Sequence, residues 1–364
     1  KEYKDYIESY QLLGSYQDNS KKIIDVLVVK LKKASSRDRA RTMQRNFIAK
    51  YLGNAQKDAA LVAFYGDDPE DWRFSFVKME YNLVKDESGK VKPVKELTPA
   101  KRYSFLVGVN EPNHTCRRQF LKLIMEEEVN PSLLEIEQAF SIDNVTTEFF
   151  EKYKELFLEL KESLEKVLKK DKNAQKEFEE KNISTVDFAK KLLGQIVFIY
   201  FLQKKGWLGV QKKPKEGFGK WGSGPKDFLR RLFDKEIVPY DNFFNDILEP
   251  LFYEALATPR DDDYYSRFNC KIPFLNGGLF EPINDYDWAE TDIVLDNPIF
   301  ERIFSTFDRF NFTVKEDEPL EKEVAVDPEM LGKVFENLLE IKDRKSKGAF
   351  YTPREIVHYM CQQS

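Results

Sequence analysis

The hydrophobic period changes partway along the chain, and this limits its fold more than any other feature. Up to about residue 112 the apolar residues come in short β-branched or alternating runs, whereas beyond Asn113 they recur at spacings of three and four. A period of two belongs to strands with one buried face, and a period near 3.6 to amphipathic helices. The expected class is α+β, mainly α: a small N-terminal α/β domain followed by a large helical domain. The 364 residues, 41% hydrophobic and 14% aromatic, supply enough apolar surface for two or three cores.

In the first part, Ile23 to Lys32 is β-branched and predicts a buried strand. A helix should follow, capped by Ser35 or Ser36, with Met43, Phe47, Ile48, Tyr51 and Leu52 as its apolar face and arginines filling much of the rest. Ala59 to Tyr65 and Trp72 to Tyr81 flank the turn-forming Gly66-Asp67-Asp68-Pro69 and predict a hairpin, and Tyr103 to Val109 adds a strand. The expected boundaries are an α/β domain over 1–112, a helical connector over 113–182, a helical domain over 183–346 and the start of a further domain over 347–364.

Within the helical region, Phe149 to Val167 is amphipathic and the Lys/Glu-rich run Lys161 to Lys181 reads as a solvated helix end or connector. Val186 to Leu208 is the most apolar helix and the expected core of the region, with Gly206 as its stop. Further helices are expected over 227–234, 243–257, 296–307 and 327–341, the last with Asp327 as N-cap and Pro328 at the first helical position. Gly277 and Gly278 lie in a tight turn and lack the surroundings of a phosphate loop.

The chain carries 58 Lys+Arg against 63 Asp+Glu, a net charge of −5. Net charge therefore does not announce a nucleic-acid partner, but the local basic stretches Arg37 to Arg45 and Lys212 to Arg231 leave one open, because the field depends on distribution. Three cysteines and two histidines without CxxC or HxxxH spacing argue against a zinc site, and no metal ligand set is assigned. The absence of a long apolar run or secretory leader in the sequence places the expected location in the cytoplasm, away from a membrane.

The most specific stretch is Lys347-Gly-Ala-Phe-Tyr-Thr-Pro-Arg-Glu-Ile-Val357. Thr352, Pro353 and Glu355 form a capping box ahead of Ile356, Tyr359 and Met360, and a helix N-terminus of this kind can receive a carboxylate or phosphate. Taken alone, this is a capped helix. Gly348-Ala-Phe-Tyr-Thr-Pro353 with Ile356-Val357 nevertheless resembles the motif that opens the catalytic domain of N6-adenine DNA methyltransferases. Asp327 to Glu340, Leu192 to Trp207 and Phe274 to Phe280 likewise resemble the region before that domain in type IIG restriction-modification enzymes, so the likeness spans roughly residues 183 to 364.

The resemblance implies that Phe350, Tyr351, Thr352 and Pro353 border S-adenosylmethionine, with Thr352 contacting its carboxylate. It implies double-stranded DNA as partner, and methyltransferase and target-recognition domains downstream in the same polypeptide. The family's catalytic Asp/Asn-Pro-Pro-Tyr/Phe motif does not occur in these residues, and that motif is what would grip a flipped adenine.

Enzymes of the class this chain resembles often carry a nuclease domain before the methyltransferase, typically with an Asp…Glu-x-Lys set holding a divalent metal such as Mg2+. Asp25, the strand end Lys30-Leu31-Lys32 and a following helix with Gln44 resemble that core, giving Asp25 and Lys32 as a candidate catalytic pair; Mg2+ enters only if the nuclease is active. Lys30 stands where a carboxylate is required, so the expected domain is a degenerate, nuclease-like one. It would hold DNA phosphates through Lys32, Lys33, Arg37, Arg39, Arg41 and Arg45. The alternative is a non-catalytic module that docks DNA or a partner subunit.

Overall fold

The computed structural model describes residues 5–33, 40–67, 70–79, 83–85, 91–93, 100–125, 130–213, 217–275, 277–314 and 320–332, with 356, 359, 360 and 363 singly. The chain forms two compact units. Unit 1 comprises residues 1–147, 309–311 and 315–326, and unit 2 comprises 148–308, 312–314 and 327–364.

Unit 1 is built on a six-stranded mixed sheet. Its strands are β1 (Ile7–Gln17), β2 (Ile23–Leu31), β3 (Ala59–Tyr65), β4 (Asp71–Lys78), β5 (Lys101–Gly108) and an edge strand from late in the chain, Glu321–Glu323, in the order β1-β2-β3-β4-β5-edge. β2 and β3 run parallel, joined by helix α1 (Arg41–Ala55), while β3 and β4 form the expected antiparallel hairpin and the edge strand runs parallel to β5. α1 begins after Ala40, which has no side chain able to cap it. The expected caps Ser35 and Ser36 lie outside the described residues. The helix ends where Gln56 turns left-handed at φ 54°, letting the Lys57 N–H reach Leu52 O at 3.0 Å.

Strand alternation gives the sheet two distinct faces. Leu27, Val29 and Leu31 of β2 and Ala60, Val62 and Phe64 of β3 pack under Phe47, Ile48 and Leu52 of α1. Each of these Leu, Val, Ile and Phe side chains contributes about 1.5–3 kcal/mol by leaving water. The opposite face carries Phe74, Phe76 and Phe105, whose rings sit 5.4, 5.8 and 5.1 Å from that of Phe140. Phe140 follows α3 (Leu133–Ala139), and Phe120 of α2 (His114–Met125) completes the cluster at 5.3 Å. A one-residue slip in β4 or β5 would exchange these phenylalanines for the charged residues of the other face, so the register is strongly fixed.

α4 (Ile142–Lys170), which lies in unit 2 from Glu148 onward, is followed by α5 (Lys172–Glu180), whose N-cap Asp171 accepts from Asn173 N and Ala174 N. The Lys/Glu-rich stretch is therefore the end of α4 followed by the whole of α5, which Asp171 caps. α6 (Thr185–Lys204) is buried nearly all round, as its composition required, and Gly206 at φ 68° ends it. Its buried amides are satisfied: Gln195 donates to Leu279 O at 2.8 Å and Gln203 accepts from Leu229 N at 3.1 Å. Leu229 belongs to α7 (Phe228–Phe233).

The helix expected over 243–257 is wound as π-helix over Phe244–Leu248 and Pro250–Leu256. Pro250 has no N–H to give to an α-helical ladder, which is the local reason for a wider turn here. Glu249 lies between the two segments, 2% exposed, and Tyr286 donates its hydroxyl to the carboxyl group. Burial pushes that carboxyl up to about 8. α8 (Asn297–Phe307) packs Phe300 parallel to Phe244, and Asp327 caps the next helix by accepting from Met330 N at 2.9 Å.

Candidate functional site

The charged face of the unit 1 sheet gathers the polar groups that stand out in this fold. Register places Arg102 of β5 opposite Val77 on one side and Glu321 on the other, and Ser104 opposite Ser75 and Glu323. All these side chains therefore share the face covered by α1, beyond its apolar core. Arg73 and Arg102 are 0% and 1% exposed. Arg73 donates to Ser104 Oγ at 2.9 Å and Glu323 Oε2 at 3.1 Å; Arg102 donates to Gln44 Oε1 at 2.8 Å and Glu321 Oε2 at 3.3 Å.

The first turns of α1 complete the cluster. Arg41 and Arg45 each approach a Glu321 oxygen to 3.6 Å. Glu321 thus faces three guanidinium groups, and Nε of Arg41, Arg45 and Arg102 makes no hydrogen bond. Burial pulls Arg102 down to about 9; Glu321 opposes this, and Arg73, Arg41 and Arg45 add to the lowering. Arg102 remains protonated at neutral pH, and the cluster holds its cations with a minimum of carboxylate.

Asp25 lies on the same face at the other end of β2. It is 0% exposed, accepts from Tyr51 Oη at 2.7 Å through Oδ2, and has Lys57 Nζ 3.6 Å from Oδ1. Burial first, then the Asp25 carboxylate, push the Tyr51 phenol up to about 12, so Tyr51 keeps its proton and serves as a donor. The surroundings of Asp25 are a phenol and an ammonium group, and among the described residues no three His, Cys, Asp or Glu side chains could share a metal ion.

The structure does not bring Asp25 and Lys32 together. They are seven positions apart along one extended segment, roughly 23 Å at about 3.3 Å per residue, and an odd separation puts them on opposite faces. Lys32 and Lys33 are exposed; Arg41 and Arg45 point inward to Glu321; Arg37 and Arg39 lie outside the described residues, as do Phe350, Tyr351, Thr352 and Pro353. The inward turn of two arginines carried a sequence signal. Arg41, Arg45, Ile48 and Leu52 recur at spacings of four, three and four, which is one helix stripe, and the last two are core residues. Their acidic partner, Glu321, comes from a strand too short and too charged for any pattern to mark.

In an alignment of 250 positions that covers 61% of its length, the chain is 31% identical to a Methanocaldococcus jannaschii protein provisionally named a type II restriction enzyme and methyltransferase. The aligned stretch is 19% of that relative, so the chain spans about a fifth of the length of the protein it matches. No protein-family profile matches the chain, and no solved structure matches it. Among the described residues no helix is long and apolar enough to cross a membrane.

Proposed function

We propose that this chain is the N-terminal part of a restriction-modification protein whose methyltransferase domain moves a methyl group from S-adenosylmethionine to adenine N6 in double-stranded DNA. The observation that carries this reading is the 31% identity to a relative named for both activities. The motif Phe350-Tyr351-Thr352-Pro353 narrows it to the adenine-specific class, with these four residues bordering the cofactor and Thr352 contacting its carboxylate. The cofactor would supply the methyl group; holding the flipped base falls to the Asp/Asn-Pro-Pro-Tyr/Phe motif, which is not among these residues.

For unit 1 we favour docking over cutting. Asp25 is the one acidic member of the candidate pair, and it is held by Tyr51 and Lys57, with Lys32 far along the strand. A metal nuclease would need at least a second carboxylate beside it. Lys32 and Lys33 are exposed and suited to backbone phosphates, joined by Arg37 and Arg39 of the same basic stretch.

The test is methyl transfer from labelled S-adenosylmethionine to duplex DNA, comparing this chain with the polypeptide extended past Ser364. The extended protein is expected to methylate adenine, and the 364-residue chain to give none. Turnover by the short chain, or an extended reading frame without Asp/Asn-Pro-Pro-Tyr/Phe, would overturn the reading. Mg2+-dependent cleavage of DNA that disappears in Asp25→Asn would restore the nuclease in place of the docking role.

A further inference from the structure

Between residues 204 and 226 the sequence carries seven lysines and a single acid, Glu216, in a chain whose net charge is −5. The structure arranges part of this stretch as a small platform. β6 (Val210–Lys213), β7 (Gly217–Phe218), β8 (Tyr264–Tyr265) and β9 (Cys270–Lys271) form a four-stranded sheet in the order β8-β9-β6-β7. The loop after β7 folds back on the end of α6, where Gly206 O accepts from both Gly222 N and Gly224 N at 3.0 Å. This approach explains the glycines: a Cβ on Gly206 would meet Gly222 O at 2.6 Å, and one on Gly224 would meet Leu208 O at 2.0 Å. The loop is thereby fixed, and it presents Trp221 to solvent near the exposed Trp207, at 42% and 36% exposure.

The lysines here differ from those elsewhere in unit 2. On α4 and α5, Lys152, Lys161, Lys166 and Lys176 each pair with a glutamate one helical turn away. On the platform, lysines lie against rings: Lys205 Nζ is 4.6 Å from the centre of Trp207, Lys271 Nζ 5.1 Å from Trp221 and 5.4 Å from Phe218, and Lys212 Nζ 5.7 Å from Phe218. Among the described residues, none of these three, nor Lys220, has an ion-pair partner. A lysine held on a ring keeps its full charge for a mobile anion, whereas one bound to a carboxylate does not.

We propose that this platform is a docking surface for the phosphate backbone of DNA, with Lys205, Lys212, Lys220 and Lys271 as the phosphate contacts. Spaced cations on a rigid base, interleaved with exposed indoles, match a polyanion that also presents flat bases. An anionic membrane is the poorer fit, because the indoles are partly covered by their own lysines and the described residues of the platform are strands and loop, with no amphipathic helix among them. The proposal stands on these residues alone and does not depend on the methyltransferase reading.

The experiment is fluorescence anisotropy of a labelled DNA duplex and of one of its single strands, titrated with the 364-residue chain over a range of salt concentrations. In K205Q/K212Q/K220Q/K271Q the affinity is expected to fall by at least about tenfold and the log–log salt slope by about three to four, since each lost phosphate contact removes about 0.9 from the slope on duplex DNA. K205R/K212R/K220R/K271R should keep the slope within about one of the parent, which separates loss of charge from loss of folding. K152Q/K161Q/K166Q/K176Q, with the same change in net charge, should stay within about twofold. If the platform variant behaves like that control, or if it loses binding to phosphatidylserine vesicles while keeping its DNA affinity, the proposal is wrong.

Discussion

Two groups of basic residues meet opposite fates. In unit 1, Arg41 and Arg45 turn inward and share the buried Glu321 with Arg102. In unit 2, Lys205, Lys212 and Lys271 stay at the surface against aromatic rings. The difference follows from the side chains. A guanidinium is planar, weakly hydrated and offers five N–H groups, so it can be buried wherever one carboxylate and a few amide or hydroxyl oxygens converge. An ammonium is compact and strongly hydrated; it rests over a ring face at the surface, where water still reaches its other side. A run of positive charge therefore says little about exposure until arginine and lysine are read separately.

The strongest challenge to this contrast is to remove the carboxylate that three arginines share. Glu321→Gln keeps the shape and deletes the charge, leaving Arg41, Arg45 and Arg102 repelling one another in a buried space. A loss of about 3–5 kcal/mol is expected in denaturant unfolding of the unit 1 transition. A loss under about 1 kcal/mol would mean that water reaches the cluster and that it is not the buried network described.

A buried acid in unit 2 makes the opposite case, a charge the fold disfavours. Glu249 is held near 8 against an ordinary value of 4.5, so the native state binds its proton more tightly than the unfolded state does. Its contribution is therefore favourable while the carboxyl is protonated, and stability declines as pH rises from about 4.5 to about 8. Glu249→Gln cannot ionise. The stability of the variant relative to the parent should rise by about 2–4 kcal/mol between pH 5 and pH 9. A difference that does not change with pH would show that Tyr286 stabilises the ionised carboxylate as well as the neutral acid.

These tests bear on what could be read in advance. The hydrophobic period marked β2 to β5, the crossover helix and α6, because each buries a regular stripe or face. It did not mark β1, whose residues are mostly exposed along an edge, or the edge strand Glu321–Glu323, whose two glutamates look solvated until Arg73 and Arg102 are placed beside them. The site was less legible than the fold for the same reason. Asp25 stood out in its strand, but Tyr51 and Lys57 become its partners only once α1 and the turn into β3 carry them there. The rings under the platform lysines come from separate segments, with Lys271 reaching Phe218 and Trp221 across the small sheet.

A smaller effect is expected at Asp25. Asn in its place keeps an oxygen for the Tyr51 hydroxyl and loses the attraction of Lys57 at 3.6 Å, so about 1–2 kcal/mol of stability should go, seen as an earlier urea midpoint. A variant that is as stable as the parent would indicate that the protein holds Asp25 charged at a cost, as a functional carboxylate would be held.

Arg45→Met removes a cation from the basic stretch without leaving a buried carboxylate alone, because Arg41 and Arg102 still face Glu321. Stability should change by less than about 1 kcal/mol, since an apolar side chain of similar length can replace a buried ion. An arginine turned into the core contacts no phosphate, so the salt slope for duplex DNA should move by less than about 0.5, whereas a true contact would lower it by about 0.9. A drop of a full contact in this variant would place DNA on the α1 end of unit 1 and would require Arg45 to leave Glu321 on binding, making the buried cluster a store of cations for the backbone.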